Sequence, residues 1–125
     1  MAWRVLIIDD NEIALATMES VLQTPDFEPR TALNLEEFSK IIGEWPPQII
    51  LSDVNMPGMS GPELCTELKK QLDTAHVPIV LCSGLSPAEL EVLADDCEAD
   101  AFLSKEDGFD KIPELLKMVC ESVIW

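Results

Sequence analysis

Three carboxylates, one hydroxyl and one amine carry the chemistry that this sequence can offer. Asp9 and Asp10 follow the apolar run WRVLII, Asp53 follows PQIILS, Ser83 follows VPIVLC, and Lys105 follows ADAFLS. Three carboxylates converging at one edge repel each other by a few kcal/mol per pair at ~4 Å and an effective dielectric near 20, so they need a cation. Hard oxygen ligands suit Mg²⁺, which keeps several waters and is usually held by about one or two carboxylates plus phosphate oxygens. The reading assigns Asp10 and Asp53 as direct ligands, Asp9 as a water-mediated partner and the backbone carbonyl of Asn55 as a further ligand. Taken alone, Asp9 and Asp10 would serve as well to cap a following helix, and Asp53 to open a turn. The other run ends decide the matter. A carboxylate, a hydroxyl and an ammonium aimed at one crevice suit a phosphoryl group. Asp53 is then the nucleophile, because a carboxylate can form an aspartyl phosphate. Lys105 and the metal neutralise charge in a loose, metaphosphate-like transition state, and Ser83 hydrogen-bonds one phosphoryl oxygen.

For these groups to meet, the runs must be neighbouring parallel strands. Apolar runs alternate with amphipathic segments along the whole chain, the signature of βαβ units. Strands are predicted at Trp3 to Asp9, Phe27 to Leu33, Pro47 to Asp53, Val77 to Ser83 and Ala99 to Lys105. The second contains Pro29, which cannot donate to a ladder, so it belongs at a sheet edge. Asn34 with Glu37, Ser60 with Glu63, and Ser86 with Glu89 have capping-box spacing, and Pro87 occupies a first helical position. The first helix starts near Asn11, with Ala14, Leu15, Met18, Val21 and Leu22 on one face, and the last carries Ile112, Leu115, Leu116 and Val119 at helical spacing. Right-handed crossovers then give an α/β fold: a flavodoxin-like, doubly wound five-stranded parallel sheet of order 2-1-3-4-5 with five helices, a three-layer sandwich. Ligands in such sheets bind at the carboxyl ends of the strands, where the winding reverses between strands one and three.

Composition narrows the function classes. A chain of 125 residues suits one domain, read here as residues 1–125. A formal net charge of −16 sets it against duplex or membrane phosphates, so neither nucleic acid nor membrane is an expected partner. No apolar run approaches a membrane span, and the short apolar segment near the N-terminus ends in acids rather than a signal-peptide cleavage site. Cys65, Cys82, Cys97 and Cys120 form no C-x-x-C pair and read as small buried hydrophobes in a reducing cytoplasm.

The segments VLIIDDNE, ILSDVNMPGMSG, PIVLCSG and ADAFLSKE resemble, in order and spacing, the four landmarks of the receiver domain of bacterial two-component response regulators. The resemblance implies that Asp53 is the phosphoacceptor, Asp9 and Asp10 the acidic pair, Ser83 the switch hydroxyl, Lys105 the phosphate-binding lysine and Phe102 the switch aromatic. It implies a sensor histidine kinase or histidine phosphotransfer protein as phosphodonor, with Mg²⁺ as cofactor. It also implies a downstream effector or output domain on the face made by the fourth helix, fifth strand and fifth helix. On this reading the chain catalyses only phosphoryl transfer onto its own Asp53 and slow autodephosphorylation, and is not otherwise an enzyme. Leu85, two residues beyond Ser83, would shield the attacking water, giving slower phosphoryl loss than in Leu85→Glu; equal decay rates would refute this.

Two positions depart from the family pattern. Glu106 stands where the family usually has proline after the lysine, which predicts a trans path and a different aim for Lys105, and Gly84 is smaller than the usual alanine. An alternative reading is a degenerate receiver, a fixed docking module that is never phosphorylated. A flavin module would need a phosphate cradle after strand one, where Asp9-Asp10-Asn11-Glu12 repels phosphate. A haloacid-dehalogenase-like phosphatase would show D-x-D there. His76 reads as a plain surface residue, and Trp125 as either core or interface.

Overall fold

Continuous apolar runs form the middle of the sheet because every one of their side chains has a layer to enter. The computed structural model describes residues 2–123. In chain order the elements are β1 (Trp3–Ile8), α1 (Glu12–Val21), β2 (Phe27–Ala32), α2 (Leu35–Glu44), β3 (Ile49–Ser52) and α3 (Gly61–Lys70). They continue with β4 (Ile79–Ser83), α4 (Pro87–Cys97), β5 (Ala101–Ser104), 3₁₀ turns at Lys105–Asp107 and Phe109–Lys111, and α5 (Ile112–Val123). The five strands are parallel in the order β2-β1-β3-β4-β5. Trp125 lies outside the described residues.

Alternate residues of each strand feed two separate cores. Leu6, Ile8, Ile50, Ile79 and Leu81 pack under α2, α3 and α4 with Phe38, Leu64, Leu68 and Leu90. Val5, Ile7, Ile49, Leu51 and Val80 pack under α1 and α5 with Leu15, Met18, Ile112 and Leu116. A central strand covered on both faces has no use for polar alternation, which is why Val5–Ile8, Ile49–Leu51 and Ile79–Cys82 are apolar throughout. Pro29 sits in β2, which pairs with β1 alone and is therefore an edge strand.

The helix starts follow their caps. Ser60 and Ser86 each accept from the N–H three residues on, and Glu63 and Glu89 return the bond to the cap residue's N–H. Asn34 accepts from the Glu37 N–H, but the Glu37 carboxylate reaches the N–H of Leu33 instead of Asn34, so that box is shifted by one residue. All five strands are shorter than predicted, β1 and β2 by one residue and β3, β4 and β5 by two or more. Pro47 and Pro78 have no N–H to offer, and the Pro78 carbonyl serves only as an acceptor for Ile50 N–H. At β5, Lys105 begins a 3₁₀ turn. Trp45, in the connection before β3, is buried, with the Arg4 and Arg30 guanidiniums 5.7 and 4.6 Å from its ring centroid.

Helix α4 ends on Glu98 at φ 63°, ψ 33°, a left-handed conformation that costs a side-chain-bearing residue roughly 1–2 kcal/mol. Glu98→Gly is expected to raise stability by about 1 kcal/mol, seen as a rise in Tm of about 4 °C. An unchanged or lower Tm would show that the Glu98 side chain offsets its own backbone strain.

Candidate functional site

The site is built by backbone bonds before any side chain acts. Asp9 N–H donates to the Ala32 carbonyl of β2, and Asp53 N–H to the Ile8 carbonyl of β1, so the sheet fixes both residues just beyond their strands. Their carboxylates, with that of Asp10, each offer an oxygen within 4.8 Å of the others. Asp9 is fully buried and Asp53 nearly so, while Asp10 is exposed.

Lys105 enters this cluster from the far side of the sheet. Its Nζ lies 2.9 Å from Asp9 Oδ2 and 3.6 Å from Asp53 Oδ1. The other oxygen of Asp9, Oδ1, accepts from Asn11 N–H at 2.9 Å. Asp9 therefore has a partner on each oxygen, which suits a role at one remove from a metal better than direct ligation. Asp10 is exposed and lines, with Asn55, Met56 and Ser60, a shallow recess of about 470 Å³.

The electrostatics follow from this crowding. Burial pushes the Asp53 carboxyl above the usual carboxylate range and the charge of Asp9 pushes the same way, against the pull of Lys105. For Lys105, burial alone would lower the ammonium, but the hydrogen bond to Asp9 and the charge of Asp53 outweigh it and hold the group above the ordinary lysine value. A buried acid cluster with one ammonium among three carboxylates is short of positive charge. That shortage and the all-oxygen donor set of Asp9, Asp10 and Asp53 fit a hard divalent cation.

Ser83 is buried at the end of β4, where its Oγ accepts from Leu85 N–H at 3.3 Å. Phe102 is half-buried on β5, paired in register with Leu81 and packed toward the α4 side, as is Leu85. No described peptide bond is cis, so Lys105 and Glu106 are joined in trans, and Lys105 still points into the carboxylates. A Cβ on Gly84 would meet nothing within 4 Å, so its small size leaves the loop unstrained by packing. His76 is exposed, at the opposite end of the strands.

Three neighbours were not legible as part of the site. Cys82 lies close enough to feel Asp53, Asp9 and Lys105, but burial pushes its thiol up to about 12, which keeps it neutral. Ser104 is buried at the end of β5; a hydroxyl level with Ser83 on the next strand was the available signal. Gly61 opens α3 against the loop after β3, its N–H donating to the Val54 carbonyl at 2.8 Å. A Cβ there would stand 2.1 Å from the Asp53 carbonyl oxygen and 3.1 Å from Val54 Cα, both backbone atoms with little freedom to give way. Gly61→Ala is expected to cost about 2–3 kcal/mol, measured as a lower urea midpoint at unchanged slope.

Comparison with known proteins gives the same picture. The family described as the response regulator receiver domain matches residues 5–117. Response regulator PleD of Caulobacter vibrioides is 33% identical over 105 residues, which cover 84% of this chain and 23% of that protein. Regulatory protein VanRB of Enterococcus faecalis is 30% identical over 105 residues, 84% of this chain and 46% of its own. The chain thus spans less than half the length of these curated relatives. Among solved structures, the signal receiver domain of a signal transduction histidine kinase from Syntrophus aciditrophicus superimposes with a TM-score of 0.85 at 28% identity, covering 98% of this chain and 92% of that one. Chemotaxis response regulator CheY4 of Vibrio cholerae, at 24% identity and a TM-score of 0.84, covers 95% and 99% and shares the fold. A family match from β1 into α5 shows that the chain belongs to the response regulator receiver domains of two-component systems.

Proposed function

We propose that this receiver accepts a phosphoryl group on a carboxylate oxygen of Asp53 from the phosphohistidine of a kinase or phosphotransfer protein, and signals through the surface around β5. The observation that carries the reading is the meeting of three carboxylates within 4.8 Å, with Lys105 Nζ 2.9 and 3.6 Å from two of them, at the carboxyl ends of the central strands. In the transfer an Asp53 oxygen attacks phosphorus, a new O–P bond forms, and the N–P bond of the donor breaks. Lys105 is placed to follow the charge from the carboxylates onto the phosphoryl oxygens. Ser83 accepts from Leu85 N–H, which leaves its own proton available for a phosphoryl oxygen. Asp10, Asp53 and the Asn55 carbonyl would hold Mg²⁺, which when bound supplies charge neutralisation on the transferring group.

The output side follows from the position of β5 at the sheet edge. α4 covers one face beside it and α5 the other, so the three elements make one surface. Val92 on α4 and Met118 on α5 are 60% and 61% exposed, apolar side chains open to an effector. A hydrogen bond to a charged group contributes about 1.5–3 kcal/mol; Lys105 already bonds Asp9, so the bond from Ser83 is the new one, and it supplies part of the ~5.5 kcal/mol of a near-complete population shift. The chain turns over no outside substrate on this reading beyond its own phosphorylation and slow hydrolysis.

The test is intact mass after incubation with acetyl phosphate, with and without Mg²⁺, followed by borohydride reduction to locate any acyl phosphate. A Mg²⁺-dependent gain of one phosphoryl group at Asp53 supports the proposal. A gain at another residue would overturn the site, and no gain from either acetyl phosphate or a phosphorylated histidine kinase would leave a fixed docking module.

A further inference from the structure

Leu85 is held at both ends by serines from neighbouring strands. Its N–H donates to Ser83 Oγ at 3.3 Å, and its carbonyl accepts from Ser104 Oγ at 2.8 Å. The two serines are register partners at the carboxyl ends of β4 and β5, and both are buried. Ser104 Oγ also accepts from Glu106 N–H at 3.3 Å and so caps the 3₁₀ turn that begins at Lys105. One hydroxyl therefore gives its proton to the loop after Ser83 and takes one from the turn that carries Lys105. Among the described residues no other side-chain hydrogen bond joins these two segments.

We propose that Ser104 is a positioning residue for phosphoryl transfer, clasping the loop after Ser83 to the turn of Lys105 so that both phosphoryl-facing groups are set, and move, as one unit. The inference rests on Asp53 being the phosphoryl acceptor. Without the hydroxyl, the Leu85 carbonyl and the Glu106 N–H lose their shared partner, and the two loops relax independently. Misplacement of a positioned group by 1 Å can cost about 100-fold in rate, and a loosened clasp should cost about tenfold.

The experiment compares wild type, Ser104→Ala and Ser104→Thr in initial phosphoryl uptake from acetyl phosphate, and in Mg²⁺ affinity by calorimetry. The expected result is uptake slowed about tenfold in Ser104→Ala, close to wild type in Ser104→Thr, with no fall in Mg²⁺ affinity in either, since the clasp touches no metal-facing carboxylate. An unchanged uptake rate in Ser104→Ala, or an equal loss in Ser104→Thr, overturns the proposal. So does a parallel fall in Mg²⁺ affinity, which would mean general loosening of the fold. If the wild type takes up no phosphoryl group, the functional reading fails separately, and amide exchange then judges the clasp. Faster exchange at both Leu85 and Glu106 in Ser104→Ala supports it, and acceleration at Glu106 alone refutes it.

Discussion

Asp53→Asn is expected to take up no phosphoryl group from any donor and, in the absence of divalent cation, to melt higher than the wild type. The amide nitrogen and oxygen of asparagine cannot replace a carboxylate oxygen as nucleophile, so the mass gain should vanish rather than shrink. The gain in stability has a separate origin. Asp53 is nearly buried beside Asp9 and Asp10, and removing one of three converging charges relieves about 1 kcal/mol even at water-like screening, or about 4 °C in Tm. Its folded-state pKa lies above the ordinary 3.8, so on raising the pH the unfolded chain releases this proton first. The folded state therefore carries the full penalty above its raised pKa, and the penalty fades as pH falls toward 3.8. The Tm difference between variant and wild type should be largest near neutral pH and narrow on acidification. A mutant that melts lower at neutral pH in chelator would show that the contact with Lys105 outweighs the repulsion.

Lys105→Ala should slow phosphoryl uptake by about 10²–10³-fold, the usual cost of deleting one preorganised charge-stabilising group. Its structural effect is distinctive. The variant leaves Asp9, fully buried, with only the Asn11 N–H for a partner, and a buried charge robbed of its counter-ion costs several kcal/mol before relaxation. Because Lys105 is itself partly exposed, water can enter, and a loss of about 2 kcal/mol is expected. Removing the ammonium also deepens the negative potential of the cluster. Added Mg²⁺ should therefore raise the Tm of Lys105→Ala by more than it raises that of the wild type. Equal Mg²⁺ responses would mean that lysine and metal do not sense the same carboxylates.

The parts of the fold that were legible in the sequence are those written locally. Ser60-x-x-Glu63 and Ser86-x-x-Glu89 announce helices within four residues, and the run PQIILS stopping on Asp53 announces a buried strand with a polar end. Strand order was readable because few topologies satisfy right-handed crossovers with Pro29 at an edge. Long-range pairings were not readable. Asp9 and Lys105 could be placed at one crevice, but not the salt bridge between them, since nothing near either residue encodes a partner 96 positions away. The same holds for Lys69 and Asp100, a 2.9 Å pair in which Asp100 also accepts from Ile79 N–H at the start of β4. Ser104 escaped notice because a lone serine ending a strand has the same local appearance whether it faces water or clasps two loops.

The separation of Lys105 from its acid partners also sets an order in time. Asp9, Asp10 and Asp53 are all synthesised before their ammonium, which arrives 96 residues after Asp9. Until β5 closes against β4, a growing chain holds the acids without that cation, and the closing contact spans 96 residues. A nascent or truncated receiver ending before β5 would thus carry Asp53 yet lack the charge balance around it. Competence to receive a signal would then coincide with completion of the fold.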